Sequence, residues 1–104
     1  MTTASFFKKN GKFQKFRVSG HSGYAEEGSD IVCAAVSAMT LLTINTITDR
    51  FCIPSDVSVD DDTAVIEFSL RELDERGCAL IAGFHHEMAT LANDYPSFVR
   101  VIVK

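Results

Sequence analysis

The chain has 104 residues, 46% of them hydrophobic, and a formal net charge of −4 at pH 7. These values suit one compact domain, 1–104, with a modest core, and the acidic balance argues against a dedicated nucleic-acid binder. Its 3 cysteines are widely spaced and fit neither a disulfide framework nor a zinc pattern, so a reducing cytoplasm is expected and no metal or cofactor is.

Lys8 and Lys9 follow so few apolar residues that the N-terminus lacks the arrangement of a secretory signal. Ser5 to Lys9 and Lys12 to Ser19 flank Asn10-Gly11, a dipeptide that supplies the positive φ angles of a tight turn. The pattern predicts an antiparallel hairpin whose second strand delivers His21 at its end. Lys8, Lys9, Lys12, Lys15 and Arg17 all precede the first acid of the chain. A basic hairpin attracts RNA, but lysines there also block edge pairing and keep the hairpin soluble, so direct nucleic-acid binding is not expected.

The segment from Gly20 to Ser37, GHSGYAEEGSDIVCAAVS, carries the candidate chemistry. Gly20, Gly23 and Gly28 punctuate a loop in which regular structure is not expected. Ser29 or Asp30 then caps a helix, which puts Cys33 in its first turn, near the positive end of the helix dipole where thiolate is favoured. His21 is the candidate base for a Cys/His pair, and the free N–H groups of the helix start are candidate donors to an oxyanion. With Cys33 at 0° on a helical wheel, Asp30 falls near ~60°, Ser37 near ~40° and Thr40 near ~340°, one narrow polar stripe. The competing reading is a small buried cysteine and a turn histidine.

The helix should run from about Asp30 to Asp49. Ile31 to Thr48 carries no charge and reaches the ~18 residues at which a membrane span is considered, yet its serines, threonines and Asn45 make it too polar for one. Ile31, Val36, Met39, Leu41, Leu42 and Ile47 wrap most of its circumference, which demands cover on more than one face. Pro54 ends this region. Val57 to Val59 and Ala64 to Phe68 read as a second hairpin around Asp60, Asp61 and Asp62, a solvated turn lacking the alternation and glycine of a calcium loop.

Ser69 with Glu72 has the spacing of a capping box, and Leu73, Leu80, Ile81, Phe84, Met88 and Leu91 repeat at helical spacing up to Asn93. His85 and His86 project ~100° apart rather than as an i, i+4 metal pair, and are read as solvated. Tyr95-Pro96 breaks the helix, and Phe98 to Val103 is a final strand. The order ββαββαβ implies an α+β two-layer sandwich, a largely antiparallel sheet with two helices on one face.

Read as a unit, Gly20, His21, Gly23, Tyr24, Ala25, Gly28, Asp30, Ile31, Val32, Cys33, Ala34 and Ser37 resemble the signature of the bacterial ribosomal-processing cysteine proteases, the Prp family. Gly83 in an apolar helix, then Asn93, Asp94, Tyr95 and Pro96 leading into Phe98 to Val103, extend the resemblance more loosely over the chain. It implies Cys33 as nucleophile, His21 as its partner, the same fold class and a homodimer. It implies as substrate the N-terminal extension of a large-subunit ribosomal protein, L twenty-seven, cut after an aromatic pair in a short apolar motif. Glu26 and Glu27 in the loop are candidates for favouring a basic substrate or, more simply, for keeping the loop solvated. Asp30 either orients His21 or caps the helix, and Ser37 has the loop, the thiol or a helix carbonyl as partner. Cys52, Cys78, His85 and His86 look particular to this sequence. The alternatives are a non-enzymatic ribosome-associated binding module with a structural cysteine, and a redox-sensing thiol.

Overall fold

The computed structural model describes residues 1–26 and 28–104. Asn10 and Gly11 take φ of 54° and 76°, the pair of positive values that lets a two-residue turn follow the twist of its strands. Strand β1 (Thr2–Lys9) therefore folds back on β2 (Lys12–Ser19), pairing Ala4 with Val18 and Phe6 with Phe16. Helix α1 (Ile31–Asn45) follows, then β3 (Ser55–Asp60), β4 (Val65–Leu70), helix α2 (Glu75–Asp94) and β5 (Val99–Val103). The sheet order is β3-β4-β2-β1-β5, antiparallel except for β1 with β5. The α+β class and the order ββαββαβ are as expected.

Alternation along the strands puts Ala4, Phe6, Phe16, Val18, Phe68 and Leu70 on one sheet face, and both helices lie over it. From α1 come Val32, Val36 and Ile44; from α2 come Ile81, Phe84 and Met88. Phe16 is the hub, with ring centroids 5.2 Å from Phe68 and 4.9 Å from Phe84. The core is one contiguous cluster.

The helix expected to reach Asp49 ends its α-form at Asn45 and continues as a wider turn, Thr46–Arg50, closed by the Phe51 N–H on the Thr46 carbonyl at 3.1 Å. Thr43 and Thr48, on either side of the change, donate their hydroxyls to the carbonyls of Met39 and Ile44, at 2.8 and 2.9 Å, the side-chain bonding that often bends helices. The capping box expected at Ser69 and Glu72 does not form. Ser69 stays in β4, opposite Lys15 and Asp56, because continuing the strand buries Leu70; Asp74 caps α2 instead, accepting from Arg76 and Gly77. His85 is likewise not a solvated residue. It is half-buried, with its ring 5.0 Å from Phe6 and 4.9 Å from Phe13, while His86 is exposed as expected.

Several of the basic hairpin residues are engaged within the fold. Lys8 lies over Phe13 and Lys15 over Phe7, at 4.9 and 5.2 Å, and Arg17 pairs with Glu67 at 3.2 Å. Ile31–Arg50 is apolar enough by length and composition to span a membrane, but its Val32, Val36, Ile44 and Ile47 are built into the core.

Candidate active site

The exit from β2 is pinned on both sides. Gly20 donates its N–H to the Ala64 carbonyl at 3.0 Å and turns with φ +84° tight against the Met1 carbonyl. His21 therefore leaves the sheet at a fixed point. The loop then crosses to α1, and its Tyr24 ring is wedged edge-on against Tyr95 at 5.5 Å and Phe98 at 5.3 Å. Aromatic residues at the α2–β5 junction thus hold down a loop near the start of the chain.

Asp30 is the N-cap of α1, as one of the two expected candidates. Its Oδ1 accepts from the N–H groups of Val32 and Cys33, at 3.0 and 2.9 Å; its Oδ2 accepts from the Ser22 hydroxyl and, at 3.4 Å, from the Ala25 N–H. Burial pushes the Asp30 carboxyl up, but the Ser22 hydroxyl, the Cys33 and Ala25 N–H groups and the Cys33 thiol outweigh it and hold it at about 2. Asp30 is a cap and a loop anchor; none of its hydrogen bonds goes to His21.

This arrangement corrects one expectation. The first-turn N–H groups of Val32 and Cys33 are taken by the Asp30 side chain and that of Ala34 by the Asp30 carbonyl, at 3.0 Å, so they are not free for an oxyanion. A side chain that caps a helix consumes the donors it satisfies.

Cys33 is half-buried in that first turn, and the Ser22 main-chain N–H donates to its Sγ at 3.3 Å. Two grooves meet there. One, of about 360 Å³, runs from His21 and Cys33 past Ser37 and Thr40 to Val59, Asp60 and Asp61; the other, of about 460 Å³, passes under the loop along Gly23, Ala25, Gly28 and Ala34. His21, Cys33 and Ser37 line both. The polar stripe anticipated on α1 thus faces the grooves. His21 is exposed and, among the described residues, neither its imidazole nor the Ser37 hydroxyl makes a hydrogen bond. Glu26 is exposed, and Glu27 lies outside the described residues.

The thiol thus sits at a helix start, contacted by the loop, at the junction of two grooves. The family model described as cysteine protease Prp matches residues 1–100. The chain belongs to the Prp family of cysteine proteases. The ribosomal processing cysteine protease Prp of Mycoplasma pneumoniae is 34% identical over 88 residues, covering 82% of each chain. That of Bacillus subtilis is 29% identical over 91 residues, covering 83% of this chain and 81% of its own. The crystal structure of the essential ribosomal processing protease Prp from S. aureus, in complex with a covalently linked product peptide, superposes with a TM-score of 0.94 at 23% identity over 100% of both chains. Family membership makes this chain a thiol-dependent peptide-bond hydrolase.

Ser22 escaped the sequence reading. It is 2% exposed, and its hydroxyl donates to Asp30 while accepting from the Tyr24 N–H at 3.1 Å. Its only sequence signal was a serine between two motif positions, which gave no reason to single it out.

Proposed function

We propose that the chain removes the N-terminal extension of the large-subunit ribosomal protein L twenty-seven, with Cys33 as nucleophile and His21 as its acid–base partner. The observation that carries this is the meeting of two grooves at Cys33, His21 and Ser37. An extended peptide laid through both has residues on each side of the thiol, as an endopeptidase requires.

His21 takes the thiol proton as Sγ bonds to the scissile carbonyl carbon; the imidazolium then protonates the leaving amine as the C–N bond breaks, and water hydrolyses the thioester. His21 and Cys33 share both grooves without a direct hydrogen bond, and catalytic hydrogen bonds commonly tighten only in the Michaelis complex. With the Val32, Cys33 and Ala34 donors occupied, loop N–H groups are the candidates for the oxyanion. Those of His21 and Gly23, on either side of the one that reaches Sγ, have no intramolecular acceptor among the described residues.

The reading includes a homodimer in the cytoplasm. Leu41 and Leu42 of α1 are 51% and 70% exposed, beside an apolar groove of about 230 Å³ lined by Met39, Leu80, Gly83 and Phe84. A second copy is the commonest cover for such a face.

The test is cleavage of the extended ribosomal protein by the purified chain, followed by mass. Cys33→Ala and His21→Ala are expected to abolish cleavage while circular dichroism stays unchanged, since neither side chain belongs to the core. Wild-type turnover by either folded variant would refute the assignment.

A further inference from the structure

The carboxylate of Asp30 poses a problem for the nucleophile beside it. A nearby negative charge disfavours thiolate, yet Asp30 must be ionised to cap α1 through Val32 and Cys33. Something has to occupy the rest of that carboxylate and give the sulfur a donor of its own. Ser22 does both. Its buried hydroxyl binds Oδ2, the oxygen not engaged by the helix, and its main-chain N–H reaches Sγ at 3.3 Å.

We propose that Ser22 is a positioning residue for Cys33: its hydroxyl clamps the loop to Asp30, and the clamp aims the Ser22 N–H at the sulfur. This rests on Cys33 being the nucleophile. The clamp is over-determined by geometry. The same hydroxyl accepts the Tyr24 N–H at 3.1 Å, so Ser22 is tied to the loop beyond it as well as to the helix. Without the hydroxyl, Oδ2 loses its closest partner and keeps, among main-chain donors of the described residues, the longer contact from Ala25, at 3.4 Å. The main chain at Ser22 is then free to lift away from Sγ, and His21, one residue earlier, moves with it. The titratable groups around the thiol are His21 and Asp30 on its own side and Asp60 and Asp61 across the groove. Of these only Asp30 is held by Ser22.

The hydroxyl is isolated by comparing Ser22→Thr with Ser22→Val, side chains of one shape that differ in that group alone. The rate of iodoacetamide alkylation at Cys33 is followed by mass mapping on the native chain from about pH 5 to about pH 10, with exposed Cys52 as internal reference. The Val variant is expected to shift the midpoint of the Cys33 profile upward by about one pH unit, making alkylation about tenfold slower at neutral pH, while the Thr variant follows wild type and Cys52 is unmoved in all. Superimposable Cys33 profiles for the folded Thr and Val variants would overturn the proposal. Should the Val variant fail to fold, Ser22→Ala against wild type is judged by the same criterion. Peptide turnover is not the readout, so a wild-type chain that cleaves nothing would sink the proteolytic reading without deciding this one.

Discussion

Two glycines of the loop give a controlled test of how rigidly the site is mounted. Gly20 and Gly23 both have positive φ, +84° and +75°, but a Cβ at Gly20 would lie 2.5 Å from the Met1 carbonyl oxygen whereas one at Gly23 meets nothing within 4 Å. Left-handed backbone costs an alanine about 1–2 kcal/mol at either position. The stiffer unfolded chain returns roughly 0.4–1 kcal/mol in both. These contributions cancel in the comparison, leaving the clash, which as overpacking against fixed backbone costs about 1–3 kcal/mol. Gly20→Ala should therefore melt roughly 8–16 °C below Gly23→Ala, taking about 2 kcal/mol for the clash and about 4–8 °C per kcal/mol for a domain of this size. Relief of the clash must displace either the β1 start or the chain entering His21, and a shift of about 1 Å at a catalytic group costs on the order of 100-fold in rate. Thermal melts by circular dichroism and cleavage well below the melting range measure both effects. Melting points for the two variants within about 2 °C of each other would refute the reasoning, because they would show that the exit from β2 yields freely.

Cys78 is buried while Cys33 is half-buried and Cys52 exposed, so pulse alkylation of the native protein should label Cys33 fastest, despite greater access at Cys52, and Cys78 last; faster labelling of Cys52 would count against an activated thiol. Burial, then the charges of Lys8 and His86, lowers the pKa of His85 from 6.5, so the folded state resists a proton that the unfolded chain accepts. The stability at stake is present above about pH 6.5 and is lost as the pH falls through the lowered value; His85→Phe should flatten the melting temperature over that acid window, and an unchanged slope would refute the assignment. Light scattering at micromolar concentration should give about twice the chain mass of 11.4 kDa, and Leu42→Glu should halve it; a wild-type monomer would remove the dimer.

Local chemistry made much of the fold legible. Asn10-Gly11 has few conformational options other than a hairpin, and the strands it was expected to join are those that form. Where several residues could perform one local task, the sequence was ambiguous. Ser69 and Asp74 can both cap a helix, and the choice was made by β4, which gains ladder pairing with β2 and β3 and buries Leu70 by continuing. His85 followed the same logic: helical spacing shows which way it points, but Phe13, which packs on it, comes from a hairpin more than seventy residues earlier. Cys33, His21, Asp30 and Ser37 were legible as a set because a loop and a helix start bring them together locally. The competition between capping and oxyanion binding was not, since it depends on where the two carboxylate oxygens point.

The same helix that carries the proposed nucleophile also carries the surplus apolar surface, and their separation bears on how the two are connected. Leu42 is nine residues beyond Cys33, about 13 Å along the axis at ~1.5 Å per residue. The apolar groove beside Leu42 is walled by α2, whereas the grooves at Cys33 lie toward β3, β4 and the loop. A partner seated on Leu41 and Leu42 therefore covers the far end of α1 and leaves the peptide path open. The start of α1 is fixed by its own means, through Asp30, Ser22 and the Tyr24 wedge on Tyr95 and Phe98. None of these contacts needs a second copy of the chain. A dimer through that face would accordingly act on the stability of α1 as a whole, and a monomerised variant that stays folded should retain the local geometry of its thiol.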